Sequence, residues 1–347
     1  MRFTKCPLSY KGEPRGEYMK DFKDKILFVT GGASGAGLGQ AKVFSEAGCK
    51  VVIADIRRDH LDEALAYFRA KGAPAHGIRL DVTDRAAYAA AADEVEEVFG
   101  SPPQLLFNTA GVNAFGPPEA STYEDYDWIM GVCLGGVING MVTFVPRMIK
   151  AGKGGYIVST ASMGGFWGTP TTAPYSAAKA AVINLMESYR LSLKKYGIGV
   201  SVLCPAAINS NIHRATETRP AHLANSGYLM DDRAVDTLRT IYEAGMDPVD
   251  LAKWLKKGIE EEKFYIIPYP EEREALERHF QEILDSVLPY EADPEGVRKR
   301  KEVMQMLAER ARQEAEKDPD HVFDIGFGRA RPDLDWVKPN TLPDKKN

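Results

Sequence analysis

The run Thr30-Gly31-Gly32-Ala33-Ser34-Gly35-Ala36-Gly37-Leu38-Gly39 constrains this chain more than any other stretch. Residues 25–30 before it form a short apolar run that suits a buried parallel strand. Behind it, Ala41, Val43, Phe44 and Ala47 fall at helical spacing. Strand, glycine loop and helix in that order make a phosphate cradle. Glycines let the backbone approach a pyrophosphate, and the helix N-terminus offers free amides and the positive end of a dipole. A plain glycine turn is the competing reading, and the flanking elements argue against it.

The same alternation continues along the chain. Residues 51–55 read as a second buried strand ending in Asp55, roughly twenty residues past the loop, where an acid binds both hydroxyls of an adenosine ribose. That acid repels a 2′-phosphate and favours NAD over NADP. Arg57 and Arg58 follow at once and pull the other way. Residues 76–80 form a third strand closed by Asp81 and Val82, which are placed to meet adenine. A helix is expected over 86–99, then a fourth strand over 105–108 that turns out through Asn108, Thr109, Ala110 and Gly111. Residues 124–148 read as a long helix whose glycines imply close packing and whose Pro146 bends it near the end. Residues 156–160 and 200–204 give the fifth and sixth strands, the latter running into Pro205, Ile208 and Ser210.

Chemistry enters with Tyr175 and Lys179. Four residues apart on a helix, they share one face. A nearby ammonium favours phenolate over phenol, so the tyrosine becomes a usable base. Ser162, thirteen residues earlier at the end of the fifth strand, is placed to hold a substrate oxygen.

Taken in order, the glycine loop, the strand-end acid, Asn108-Thr109-Ala110-Gly111, Ser162 and the Tyr175/Lys179 pair resemble the short-chain dehydrogenase/reductase family over about residues 22–212. The resemblance implies a Rossmann-type, doubly wound α/β fold with a seven-stranded parallel sheet in the order 3-2-1-4-5-6-7. It also implies a homodimer or homotetramer. By position, Ser162 would orient the substrate oxygen and Tyr175 would move the proton. Lys179 would bind the nicotinamide ribose and lower the tyrosine pKa. Gly31, Ser34, Gly35 and Gly37 would line the pyrophosphate, Asp55 the ribose, Asp81 and Val82 the adenine, and Asn108, Ala110 and Gly111 the adenosine side. Pro205, Ile208 and Ser210 would meet the nicotinamide carboxamide. One departure matters: Cys133 stands where the family carries an asparagine that anchors a proton relay behind the lysine. A thiol is a poor hydrogen-bond partner, which implies slower turnover. Asn139 is six positions on, about 600° of helix rotation, and points elsewhere.

Phe115, Phe166, Trp167, Tyr228 and Tyr269 fall on loops at the expected ligand end, and suggest a bulky aromatic substrate. Core or dimer contacts are the competing reading for these rings. Residues 213–262 are expected to form a substrate lid within a dehydrogenase domain over 19–270. A closer likeness sharpens the substrate. Residues 109–113, 139–148 and 265–270 resemble the Cα-dehydrogenases of bacterial lignin β-aryl ether breakdown, which oxidise a benzylic secondary alcohol with NAD. Other bulky alcohols such as a steroid or polyol, or a non-catalytic nucleotide sensor, are the alternatives.

Composition bounds the rest. With 44 Lys and Arg against 49 Asp and Glu, no basic patch argues for nucleic acid. No apolar run is expected to span a membrane, and the N-terminus lacks a signal-peptide core. Cys6, Cys49, Cys133 and Cys204 are widely spaced, form no metal-ligand pair and suit a reducing cytoplasm. Residues 1–18 read as a flexible leader, with a docking arm as the alternative. Residues 271–288 and 295–316 read as helices of a C-terminal extension over 271–347. Its tail from about Asp318 either wraps a neighbouring subunit or stays loose.

Overall fold

The computed structural model describes residues 19–224, 228–229 and 232–317. The leader over 1–18 and the tail beyond residue 317 lie outside the described residues. Strands β1 (Ile26–Thr30), β2 (Lys50–Asp55), β4 (Leu105–Asn108), β5 (Gly155–Thr160) and β6 (Ile198–Leu203) are buried at every position except Lys50. Strands covered on both faces read as continuous apolar runs, and these do. β3 (Ala75–Arg79) and β7 (Tyr265–Ile266) sit at the two edges and are correspondingly less buried. All pairings are parallel and the order is β3-β2-β1-β4-β5-β6-β7, as the resemblance implied.

Successive strand residues face opposite layers. On one face Phe28, Val52 and Ile157 pack against α3 (Arg85–Phe99), α5 (Gly136–Ala151) and α6 (Ala173–Leu193). On the other, Leu27, Val29 and Val51 pack against α1 (Gly35–Glu46), α2 (Arg58–Ala70) and α8 (Pro248–Glu260). The β1/β4 junction, where the winding reverses, opens the ligand crevice at the strands' C-terminal ends.

The expected long helix is three pieces. α4 (Tyr123–Met130) opens with a capping box between Thr122 and Asp125, and a π-helical turn over Gly131–Gly135 leads into α5. Pro146 lies inside α5, while the irregular turn sits well before it. The stretch Tyr123–Ala151 has the length and apolarity of a membrane span, contrary to the sequence expectation. Here it is a layer of the α/β fold, more than half buried. Glycine at 140 makes this packing possible, because a Cβ there would collide with the Asn108 amide oxygen and sit 2.8 Å from the Tyr88 hydroxyl.

The stretch 213–262, expected as a lid, divides into two parts. α8 buries Leu251, Ala252, Leu255 and Ile259 against the sheet, so it belongs to the core layer. What overhangs the crevice is a 3₁₀ segment over Asn211–Thr218, a second over Ala221–Leu223, and α7 (Asp232–Glu243). Beyond β7, α9 (Arg273–Asp285) and α10 (Pro294–Lys317) form the C-terminal helices. α9 has no buried residue, and Phe280, Ile283 and Leu284 on it are exposed.

Candidate active site

A cleft of about 570 Å³ runs along the C-terminal edge of the sheet from Asp55 to Tyr175. At its centre the glycine loop behaves as the sequence suggested. Gly31 has φ +61°, and a Cβ on it would lie 2.8 Å from the Ala110 Cα. A Cβ on Gly37 would strike the Gly31 carbonyl oxygen. Only glycine leaves this backbone open to a phosphate. Ser34 stands at the N-cap of α1 and makes no side-chain capping bond. Thr30 Oγ1 accepts from the Thr109 and Ala110 amides at 3.0 and 3.1 Å and so fixes the opposite wall.

Asp55 ends β2 with its carboxylate held by the Ala33 and Arg57 amides at 3.1 and 3.0 Å. Both neighbouring arginines are paired, although Arg57 lines the cleft. Arg57 pairs with Asp59 at 2.6 Å, and Arg58 with Asp62 at 3.1 Å. Asp81 and Val82 line the far end, and Asn139 donates to the Val82 carbonyl at 2.9 Å, well away from the lysine. The acid, the glycine cradle and the open helix N-terminus fit a dinucleotide.

Every residue assigned to the cofactor lines this cleft except Asn108. Asn108 is buried beneath it, donating to Ser159 Oγ at 3.2 Å. It braces the strand ends, because β4 carries its side chain into the sheet's lower layer against α5.

Ser162, Tyr175 and Lys179 meet at the other end of the cleft. Ser162 Oγ accepts from the Gly164 amide at 3.1 Å, which fixes the turn that follows β5. Pro174 sits in the first turn of α6 and starts the helix that carries the other two. Lys179 Nζ donates to the Thr160 carbonyl at 2.7 Å and lies 5.3 Å from the Tyr175 ring centre. Burial raises the Tyr175 phenol above its ordinary value, the Cys133 thiol adds to the rise, and the Ser162 hydrogen bond opposes it. Burial also lowers Lys179. Desolvation therefore outweighs the simple expectation that the ammonium pulls the phenol down.

The five rings expected around a substrate lie elsewhere. Phe166 and Trp167 pack against Tyr265, Phe280 and His279, on the side that seats α9. Tyr228 is fully buried and donates to the Thr171 carbonyl at 2.6 Å, stapling the overhanging segment to the body. Tyr269 is buried and donates to the Ala207 carbonyl at 3.1 Å, bracing the loop that carries Ile208. Phe115 sits behind Tyr242 at 6.4 Å between centroids. In place of these rings, the cleft beside Tyr175 is walled by Val112, Trp128, Leu223 and Tyr242. Trp128 carried no sequence signal beyond its place on an amphipathic helix. Tyr242 lay in a stretch whose fold back over the site no local pattern announces.

Residues 25–221 match the short chain dehydrogenase family. The chain belongs to that family. It is 59% identical over 286 residues to a C alpha-dehydrogenase of Sphingobium sp. strain SYK-6, covering 82% of this chain and 94% of the relative. Among solved structures it is similar to LigD of the same strain in its apo form, at 55% identity and TM-score 0.66, covering 78% of this chain and all of that one. A short-chain dehydrogenase of Burkholderia phymatum in complex with NAD aligns at 32% identity and TM-score 0.74, covering 78% and 98%.

In this short-chain dehydrogenase Cys133 occupies the π-helical turn and is fully buried. Its thiol donates to the Val112 carbonyl at 3.2 Å and accepts from the Val112 amide at 3.4 Å. Cys133 therefore clamps the strand-four loop beside Gly111, whose Cβ position lies 3.6 Å from Lys179 Nζ and 3.8 Å from Cys133 Sγ. The sequence suggested a missing hydrogen-bonding group here, whereas the thiol makes both backbone contacts, each long as sulfur bonds are.

Proposed function

We propose that this enzyme oxidises the benzylic Cα secondary alcohol of lignin-derived β-aryl ether dimers, such as guaiacylglycerol-β-guaiacyl ether, to the ketone. The observation that carries the reading is the Tyr175 phenol, set between Lys179 and Ser162 in a cleft that Val112, Trp128, Leu223 and Tyr242 also line. Its 59% identity with a C alpha-dehydrogenase supports the substrate class. NAD is the cofactor. Asp55 would hold the adenosine ribose, Gly31, Gly35 and Gly37 the pyrophosphate, and Lys179 the nicotinamide ribose. Bound NAD supplies the hydride acceptor.

The chain's own residues handle the proton and the orientation. Ser162 Oγ holds the substrate oxygen, and Tyr175 Oη takes the hydroxyl proton. The ammonium of Lys179, pinned to the Thr160 carbonyl, stabilises the phenolate that accepts this proton.

Self-association as a homodimer or homotetramer belongs to the same reading. Its support is the outer face of the α4–α6 layer, where Tyr123, Val142 and Leu191 are exposed. A reducing, cytoplasmic setting agrees with the buried, unpaired Cys49, Cys133 and Cys204.

Initial rates with NAD across a β-aryl ether alcohol, a steroid alcohol and a polyol test the assignment. The aryl ether should be fastest by at least about tenfold. A faster steroid or polyol would replace it.

A further inference from the structure

Tyr242 stands at the C-terminal end of α7, inside the cleft and within electrostatic reach of Tyr175. Its ring is braced from behind. It stacks on His213 with centroids 5.9 Å apart and planes 17° apart, and Phe115 supports it at 6.4 Å. The backbone just after it is clamped to the exit of β6. The Met246 amide donates to the Ala207 carbonyl at 3.0 Å, the Asn209 amide donates to the Met246 carbonyl at 3.0 Å, and Ile208 and Met246 form a parallel bridge. Ile208 lines the same cleft. The overhanging segment thus ends in a fixed aromatic wall beside the reacting tyrosine. Burial raises the Tyr242 phenol, with the Tyr175 charge adding to the effect, so Tyr242 stays neutral at working pH.

Trp128 and Leu223 line the same cleft. The Arg219 guanidinium lies 5.3 Å from the centre of the Trp128 ring and also pairs with the buried Asp125 at 2.7 Å. Trp128 is 4% exposed, so it offers the cleft little free surface. Tyr242 is the larger accessible ring.

We propose that Tyr242 is a specificity-determining residue: its ring packs against the aryl group borne by the reacting carbon and selects aryl over alkyl carbinols. This assignment rests on the benzylic-alcohol reading for its substrate class, and it is tested by binding, apart from turnover. A flat ring meeting a braced ring gains the offset or edge contact that an alkyl group of equal size does not.

The test uses the enzyme loaded with NADH and a matched pair of ketones, propiophenone and cyclohexyl ethyl ketone, with affinities measured by calorimetry. Wild type should bind propiophenone about tenfold more tightly than its cyclohexyl counterpart. Tyr242→Leu should reduce that ratio to about one while NADH affinity stays within about twofold. Tyr242→Phe, which keeps the ring, should retain the ratio. A ratio that survives Tyr242→Leu, or one already near one in wild type, overturns the assignment. Absence of β-aryl ether oxidation with the ratio behaving as stated would overturn the aryl-ether substrate and leave the role of Tyr242 standing.

Discussion

Lys179 Nζ lies 5.3 Å from the centre of the Tyr175 ring and is tied by a 2.7 Å hydrogen bond to the Thr160 carbonyl. The ammonium is thus fixed by the end of β5, the strand that also delivers Ser162. Tyr175 is the group proposed to transfer the proton. Tyr175→Phe should lower kcat by about 10²–10⁴ and leave NAD affinity within about threefold. Surviving turnover would remove Tyr175 from the mechanism. Lys179→Met should lose both turnover and NAD affinity, because one ammonium is proposed to serve both.

The pH profile follows from the direction of the Tyr175 shift. Burial holds the phenol above its ordinary value, so the deprotonated fraction still climbs throughout the neutral and mildly alkaline range. For oxidation, log kcat/KM should rise with a slope approaching about one per pH unit between pH 7 and 9. The reverse reduction should favour lower pH. A flat oxidation profile would assign the proton to another group.

Asp55 is held by two backbone amides while Arg57 and Arg58 are engaged by Asp59 and Asp62. NAD should be preferred over NADP by more than about tenfold, and Asp55→Ala should shrink that preference chiefly through a weaker NAD complex. Isothermal titration of both dinucleotides reads this directly.

The frame of the protein was legible in its residues because it is written locally. The apolar strands, the Gly31–Gly37 cradle, the strand-end Asp55 and the i, i+4 spacing of Tyr175 and Lys179 each follow from a few neighbouring positions. The substrate end was not legible. Phe166, Trp167, Tyr228 and Tyr269 fall on loops at the expected ligand end, but loop position does not fix which way a side chain turns. Each packs against another group instead: Tyr265, Phe280 and His279 for the first two, the Thr171 carbonyl for Tyr228 and the Ala207 carbonyl for Tyr269. Tyr242 reaches the site only through the fold of the 211–243 segment, a long-range event. Cys133 shows the same limit: its residue type suggested a lost contact, and its position restored two.

Cys133 has a definable role as a clamp on Val112. Cys133→Ala removes both sulfur contacts and should lower kcat about tenfold while the fold and NAD affinity persist. Cys133→Asn supplies stronger donors and acceptors at the same turn and should raise kcat above wild type. No gain from asparagine would mean that the thiol already positions the loop fully.

Asp125 and Arg219 join α4 to the overhanging segment, with side chains 0% and 10% exposed. Asp125 also accepts from the Thr122 amide at 2.8 Å. Asp125→Ala removes the carboxylate partner of a largely buried guanidinium and should lower the midpoint of urea unfolding. KM for the alcohol should rise as well, because the segment that carries Leu223 loses its anchor.

The most direct test of the central claim is to mix the purified enzyme with NAD and racemic guaiacylglycerol-β-guaiacyl ether. NADH is followed by absorbance and the aryl ketone by chromatography. NADH and the Cα ketone should appear together, one for one, with the ether bond intact. NAD binding with neither product formed would contradict the assigned reaction.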